Sequence, residues 1–242
     1  MLGVFNDMWM REVENIGPAG PDQGRGGSYL VVPPGYQGEL PDGYFVVRPR
    51  TYGVWLALRA FRAPDGDATP AVTTHKQVRV YPLARKDDPP QMTFIVDASE
   101  RTLDTIHPVD IRYFEDMAQL VAEEHEDAID PESAGMLAAI GIAKGEPFEP
   151  DERMRRILAE AATVGSFMAL ATSYKSRLPL KRYDDRAWIE IANTGYPDYR
   201  LGNHTMLDGV SLMGWFATVS SKAMVRPMLG KGSVYMWTYT SG

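Results

Sequence analysis

Apolar positions along this chain change their period once. Over the first hundred residues they come in short runs cut by Gly and Pro, the rhythm of strands and turns. Val4 to Val13 holds large apolar side chains and reads as one strand. GPAGPDQGRGG (17–27) reads as a long turn, Ser28 to Val32 as a short strand stopped by Pro33, Pro34 and Gly35, and QGELPDG (37–43) as a second turn. Tyr44 to Val47 and Tyr52 to Phe61 follow as strands. In the second of these, Val54, Leu56 and Leu58 fall on one face and Trp55, Ala57 and Arg59 on the other. Both faces are mostly apolar, which predicts a central strand. Ala71 to Gln77 reads as a helical turn, and Val78 to Leu83 and Met92 to Val96 as two more strands.

From about residue 108 the period becomes helical. Asp110 is placed to cap a helix whose apolar face carries Phe114, Met117, Ala118 and Val121. Asp130 and Pro131 form an N-cap and first-turn pair for a second helix with Met136, Leu137 and Ile140. Pro150 and Asp151 open a third, with Met154, Ile157, Leu158, Ala161 and Met168 aligned, which runs past Leu170. LPLKRYDDRAW (178–188) is irregular. A fourth helix is expected from Thr205 to Val219, with Gly209 and Gly214 against it. SVYMWTYTSG at the end reads as a strand. A lone strand after a helical stretch needs a partner. It either returns to the first sheet or pairs with polypeptide beyond this chain.

The predicted class is α+β: an antiparallel β-sandwich portion at 1–100, a helical connecting segment at 101–225 and a terminal strand at 226–242 that starts a second β-rich domain. The length of 242 residues allows a sizeable core. A net charge of -7 argues against nucleic acid, because phosphate binding needs clustered Lys and Arg. The acidic density peaks at Glu123, Glu124, Glu126 and Asp127, a pattern read first as a solvated helix end. There is no cysteine, so disulfides, thiolate nucleophiles and Cys-based zinc sites are excluded. No apolar run approaches the roughly 20 residues of a membrane span, and MLGVFNDMWM lacks the basic start and cleavage site of a signal peptide.

Several segments carry a family resemblance. SYLVVPPGYQGELPDGY (28–44), RPRTYGVWLALRAF (48–61), RVYPL (79–83) and TIHPVDIRYFEDMAQLV (105–121) resemble the second half of the domain of unknown function 1254. GIAKGEPFEPDERMRRILAEAATVG (141–165) and MLGKGSVYMWTY (228–239) continue the resemblance in the family's order. It implies a β-sandwich joined to a C-terminal domain of unknown function 1214, in bacterial proteins of the periplasm or cell envelope. It also implies that family sequence lies before Met1 and after Gly242, so that this chain is a fragment of the paired unit.

Motifs for chemistry are scarce. GRGGS (24–28) and GKGS (230–233) fit neither phosphate-loop pattern and read as turn glycines. No G-x-S-x-G occurs. His125-Glu126 begins like H-E-x-x-H but has Ile129 at the last position, and the spacing of His107 and Asp110 fits a turn better than a ligand pair. No metal, no cofactor and no catalytic set is therefore predicted. The most suggestive group is Arg48, Tyr52, Trp55 and Arg59, joined by His107. An Arg inside an apolar strand needs a carboxylate, carbonyls or an anionic ligand. A structural ion pair is the plainer reading, and a small-molecule site the sharper one. The functional expectation is a module that binds a small organic or anionic ligand. The alternatives are a hydrolase working in a cleft between two β domains, and an inactive truncated fragment. Self-association through the terminal strands is also expected.

Overall fold

The computed structural model describes residues 1–93, 106–174, 181, 183–186, 188–192, 200–216 and 235–237. The chain is α+β. Strand β1 (Leu2–Asp7) pairs antiparallel with β2 (Glu12–Ile16) on one side and with β5 (Val54–Arg59) on the other, giving the order β2-β1-β5. Val4, Phe5, Asn6 and Asp7 on β1 are all buried, so β1 is the central strand and β5 lies at the edge of this sheet. The expected central position of β5 is corrected here: Trp55 and Leu56 stay 55% and 37% exposed. The alternation along β5 is as expected. Val54, Leu56 and Leu58 face Asp7, Phe5 and Gly3, while Trp55, Ala57 and Arg59 face Asn6, Val4 and Leu2.

Val4 to Val13 is not one strand but a hairpin. The turn at residues 8–11 contains none of the usual turn residues. It is built by the Asp7 carboxylate, which accepts the backbone N–H groups of Trp9 (2.9 Å) and Arg11 (2.9 Å), while Met10 takes a left-handed φ of 57°. The signal such a turn leaves in the sequence is Asn6-Asp7 alone, set among large apolar residues with no Gly or Pro beside it.

Strands β3 (Tyr29–Val31) and β4 (Phe45–Val47) run parallel, in register Tyr29↔Phe45 to Val31↔Val47. The expectation of a wholly antiparallel unit is therefore corrected. Residues 32–44 supply the long connection that a parallel pair requires. Aromatic rings tie this pair to the first sheet, with Phe5 5.6 Å from Tyr29 and Tyr29 5.2 Å from Phe45.

The long turn at 17–27 wraps a buried carboxylate. Asp22 is 2% exposed and accepts the N–H groups of Gly17 (2.7 Å) and Gly26 (3.0 Å). Gly17 takes a φ of 91°, and a Cβ there would lie 2.3 Å from the Met1 carbonyl oxygen, so no other residue fits. Burial first, and the Asp22 carboxylate second, hold the Tyr29 hydroxyl well above its ordinary value of 10.0. The folded chain then keeps this proton at a pH where the unfolded chain has lost it. Native protons exceed unfolded ones, and stability falls as pH rises past that ordinary value. Urea melts from about pH 9 to about pH 11 should show this loss, and Tyr29→Phe should remove its Tyr29 share.

Helix α1 (Thr69–Lys76) stands against the edge strand, with His75 Nε2 3.4 Å from the Leu58 carbonyl oxygen. The expected strand at Val78 to Leu83 is absent. Val80 is 64% exposed, and the segment ends in Pro82 and a 3-10 turn at Leu83–Arg85 rather than meeting a partner strand. The expected strand at Met92 to Val96 falls largely outside the described residues.

The helices follow the sequence closely. Helix α2 spans Arg112–Glu123, and Asp110 accepts the Arg112 N–H at 3.0 Å just ahead of it. Helix α3 spans Pro131–Ala138, capped by Asp130, which accepts the Ser133 N–H at 2.9 Å. Helix α4 runs from Glu152 to Tyr174, past Leu170 as expected, with Asp151 accepting the Met154 N–H at 2.7 Å. Arg155 on α4 pairs with Glu115 on α2 at 2.9 Å. Ala128, Ile142, Leu158, Ala162 and Met206 are the buried apolar residues described in this half.

Three short strands escaped the sequence reading. Strand β6 (Ile189–Ala192) lies just past the segment read as irregular, and β7 (Arg200–Leu201) pairs with β8 (His204–Thr205). Helix α5 spans Leu207–Phe216 and packs on α4; its expected extension to Val219 lies outside the described residues. Strand β9 (Tyr235–Trp237) pairs antiparallel with β6. The terminal strand thus finds a partner within the chain, but not in the first sheet.

Candidate functional site

Three segments meet where the sheet joins the helices: the β1–β2 turn, the turn at 51–53 before β5, and the run from the end of α2 to the start of α3. Each is held by a buried polar side chain. Thr51 is fully buried; its hydroxyl accepts the Met8 N–H at 3.1 Å and donates to the Gly53 carbonyl at 2.6 Å. Glu124, only 5% exposed, closes α2 and accepts the backbone N–H groups of Tyr52 and of Gly53, the latter at 3.1 Å. A Cβ on residue 53 would fall 2.8 Å from the Glu124 carboxylate, so glycine is what lets the carboxylate come this close. Asp7 adds the Arg11 guanidinium at 2.7 Å to its two backbone donors, and Arg11 Nη2 in turn donates to the Ala128 carbonyl. Lys144 donates to the carbonyls of Ala122 (2.7 Å) and Glu124, both left open by the end of α2.

Behind this knot, between α2 and α3, lies a cavity of about 320 Å³. Its wall is largely apolar, with Trp9, Val121, Ala134, Leu137 and Ile142, and its polar members include Glu124, His125, Glu126 and Lys144. His125 opens a 3-10 turn at Glu126–Ala128, where its Nδ1 accepts the Asp127 N–H at 3.1 Å. The Tyr52 ring stands edge-on to the His125 ring at 5.8 Å. A second cavity of about 300 Å³ shares Ile142 and Ala143 with the first.

The five residues expected at a site do not meet in one place. Arg48 is exposed and reaches the Tyr36 carbonyl at 3.5 Å. Tyr52 is 57% exposed and contacts His125. Trp55 and Arg59 share a face of β5, four residues and about 13 Å apart along the strand. Both are exposed, so the desolvation that would make a guanidinium demand a partner does not act on Arg59. His107 is exposed, in the segment leading to α2. None of the five lines the cavity. The acidic run is solvated at Glu123, Glu126 and Asp127, as read, but not at Glu124. One signal could have singled out Glu124: it follows Met117 by seven residues and Val121 by three, which places it on the apolar stripe of α2.

The fold and this junction define a small α+β protein with a buried polar knot beside an apolar cavity. Residues 1–82 match the family model described as "Protein of unknown function (DUF1254)". None of the curated proteins matches this chain. Among solved structures, the chain resembles the crystal structure of the VPA0106 protein from Vibrio parahaemolyticus at 18% identity and a TM-score of 0.50. That similarity covers 71% of this chain and 42% of the other, so the chain spans less than half the length of its structural relative. At this identity the likeness shows the fold alone. No described helix is long and apolar enough to cross a membrane, and no described cluster of His, Asp and Glu has the makings of a metal site.

Proposed function

We propose that this chain binds a small organic molecule of mostly apolar surface in the cavity between α2 and α3, without chemistry of its own. The observation that carries this is the cavity itself. Its volume of about 320 Å³ lies in the range of small-molecule sites, and its wall is made of Trp9, Val121, Ala134, Leu137 and Ile142. The polar groups beside it are already committed to the backbone: Glu124 to two amides, Lys144 to two carbonyls, His125 to the Asp127 N–H. They hold the wall in shape rather than stand ready to move protons, which favours binding over the hydrolase reading.

Around the cavity, Glu123, Glu126 and Asp127 are exposed acids, and this charge selects against anionic ligands. A location in the cell envelope, and a DUF1214-like domain starting at residues 226–242, belong to the same proposal and rest on the sequence resemblance.

The test is a solution NMR titration with methylcyclohexane and with methylcyclohexanecarboxylate. The neutral probe should shift the amides of Val121, Leu137 and Ile142, and the carboxylate should bind about tenfold more weakly, a difference of about 1.4 kcal/mol. Leu137→Trp, checked for an unchanged fold by its melting curve, should abolish the shifts. Amides that ignore both probes would sink the proposal.

A further inference from the structure

Asp–Gly steps are the weakest points of a chain toward one spontaneous reaction, because glycine leaves its own amide nitrogen open to attack the preceding carboxyl group. This sequence has three: Asp42–Gly43, Asp65–Gly66 and Asp208–Gly209. The first two sit in the same tripeptide, Pro-Asp-Gly, so their intrinsic chemistry is matched and only structure distinguishes them.

The fold protects two of the three. Gly66 N–H donates to the Ala63 carbonyl at 2.8 Å, Ala63 N–H closes the loop onto the Asp67 carbonyl at 2.9 Å, and the Asp65 carboxylate is engaged by the Asp67 N–H at 3.0 Å. Asp208 is 7% exposed in the first turn of α5, and Gly209 N–H donates to the Met206 carbonyl at 3.1 Å. The Asp42–Gly43 step has neither safeguard. Both residues are exposed, in a bend before β4, and among the described residues neither the Gly43 N–H nor the Asp42 carboxylate has a hydrogen-bond partner. Open space surrounds Gly43, whose φ is 88°.

We infer that Asp42–Gly43 is a site of spontaneous backbone modification, converting to isoaspartate in the folded protein while Asp65 and Asp208 are spared. The Gly43 nitrogen attacks Cγ of the protonated Asp42 carboxyl group; the N–Cγ bond forms, the Cγ–OH bond breaks and water leaves, giving a cyclic imide. Water then opens the ring at the α-carbonyl, leaving a free α-carboxylate and a main chain that runs through Cβ and Cγ. Water is the only co-reactant, and nothing is oxidised or reduced. The product carries the carboxylate that isoaspartate-repair methyltransferases methylate, so this loop is also where the folded chain presents a substrate to an enzyme of that class.

The experiment ages the full chain in neutral buffer, native and in concentrated urea. Isoaspartate is read by enzymatic carboxyl methylation and placed by peptide mapping with electron-transfer fragmentation. At Gly66 a hydrogen bond worth roughly 1 kcal/mol net must break first, a barrier that by itself slows the reaction about fivefold. Native protein should therefore accumulate isoaspartate at Asp42 at least about fivefold faster than at Asp65, and urea should level the two rates. Asp42→Ser should remove most of the methyl-acceptor signal of the native chain. Equal rates in the native protein, a faster rate at Asp65, or a native signal that survives Asp42→Ser would each overturn the inference.

Discussion

Glu124→Ala lowers the free energy of unfolding by about 3 kcal/mol, because it strips the acceptor from two backbone N–H groups at a part-buried junction. The Glu124 carboxylate is 5% exposed and holds Tyr52 and Gly53. An unsatisfied buried donor costs roughly 1–3 kcal/mol, and alanine offers neither amide a replacement acceptor. Glu124→Gln keeps one carbonyl oxygen and should cost only about 1 kcal/mol. Urea denaturation measures both values, and hydrogen exchange should show the amides of Tyr52 and Gly53 losing protection in the alanine variant. A cost for the alanine below about 1 kcal/mol would mean that the carboxylate is a solvated end of α2 and that the knot is not what joins sheet to helices.

A loss of similar size is expected for Asp7→Ala. Asp7 is 2% exposed and accepts three donors, the N–H groups of Trp9 and Arg11 and the Arg11 Nε–H. Removing it takes away the side chain that accepts two backbone N–H groups of the β1–β2 turn and leaves the Arg11 guanidinium facing Ala128 without its carboxylate. About 3 kcal/mol is the expected cost, since breaking one partner of a buried pair is more harmful than losing both. Arg11→Met should cost less, about 1 kcal/mol, because the Arg11 side chain is 39% exposed and part of its charge is screened. The double variant should be less than additive, because the two residues share one interaction. Additive losses in a double-mutant cycle would show that the pair contributes little and that the backbone bonds alone set the turn.

Both predictions concern residues that the sequence reading did not single out. The helical half was legible because its signals are local. Asp130-Pro131 announces α3, Asp151 caps α4, and the spacing of Met117 and Val121 gives the half-buried apolar face of α2. Capping and amphipathic period depend on neighbours within one turn, so a single sequence contains them. The alternation of β5 was legible for the same reason, but its place in the sheet was not. An apolar strand reads alike at a centre and at an edge, and only the pairing of β1 with both β2 and β5 decides which it is. The hairpin at residues 8–11 was missed because a side chain makes its turn. β6 was missed because its partner, β9, lies far along the chain.

The candidate site shows the same division. Reading Arg59 as a ligand-seeking group assumed its burial, and burial is a property of the assembled sheet rather than of the strand. Glu124 sits in a run of acids that looks uniformly solvated, yet it alone turns onto the apolar stripe and meets two amides more than seventy residues earlier in the chain. What the sequence determined by itself was the α+β class, the helices with the caps of α3 and α4, the turns rich in Gly and Pro, and the absence of cysteine chemistry. What the tertiary structure decided was the strand order, the parallel pair, the partner of the terminal strand, and the polar knot beside the cavity. The physical reason is range: hydrogen bonds and apolar contacts within a turn are written in adjacent letters, while those that close a sheet or bury a carboxylate join distant segments and exist only once the chain has folded.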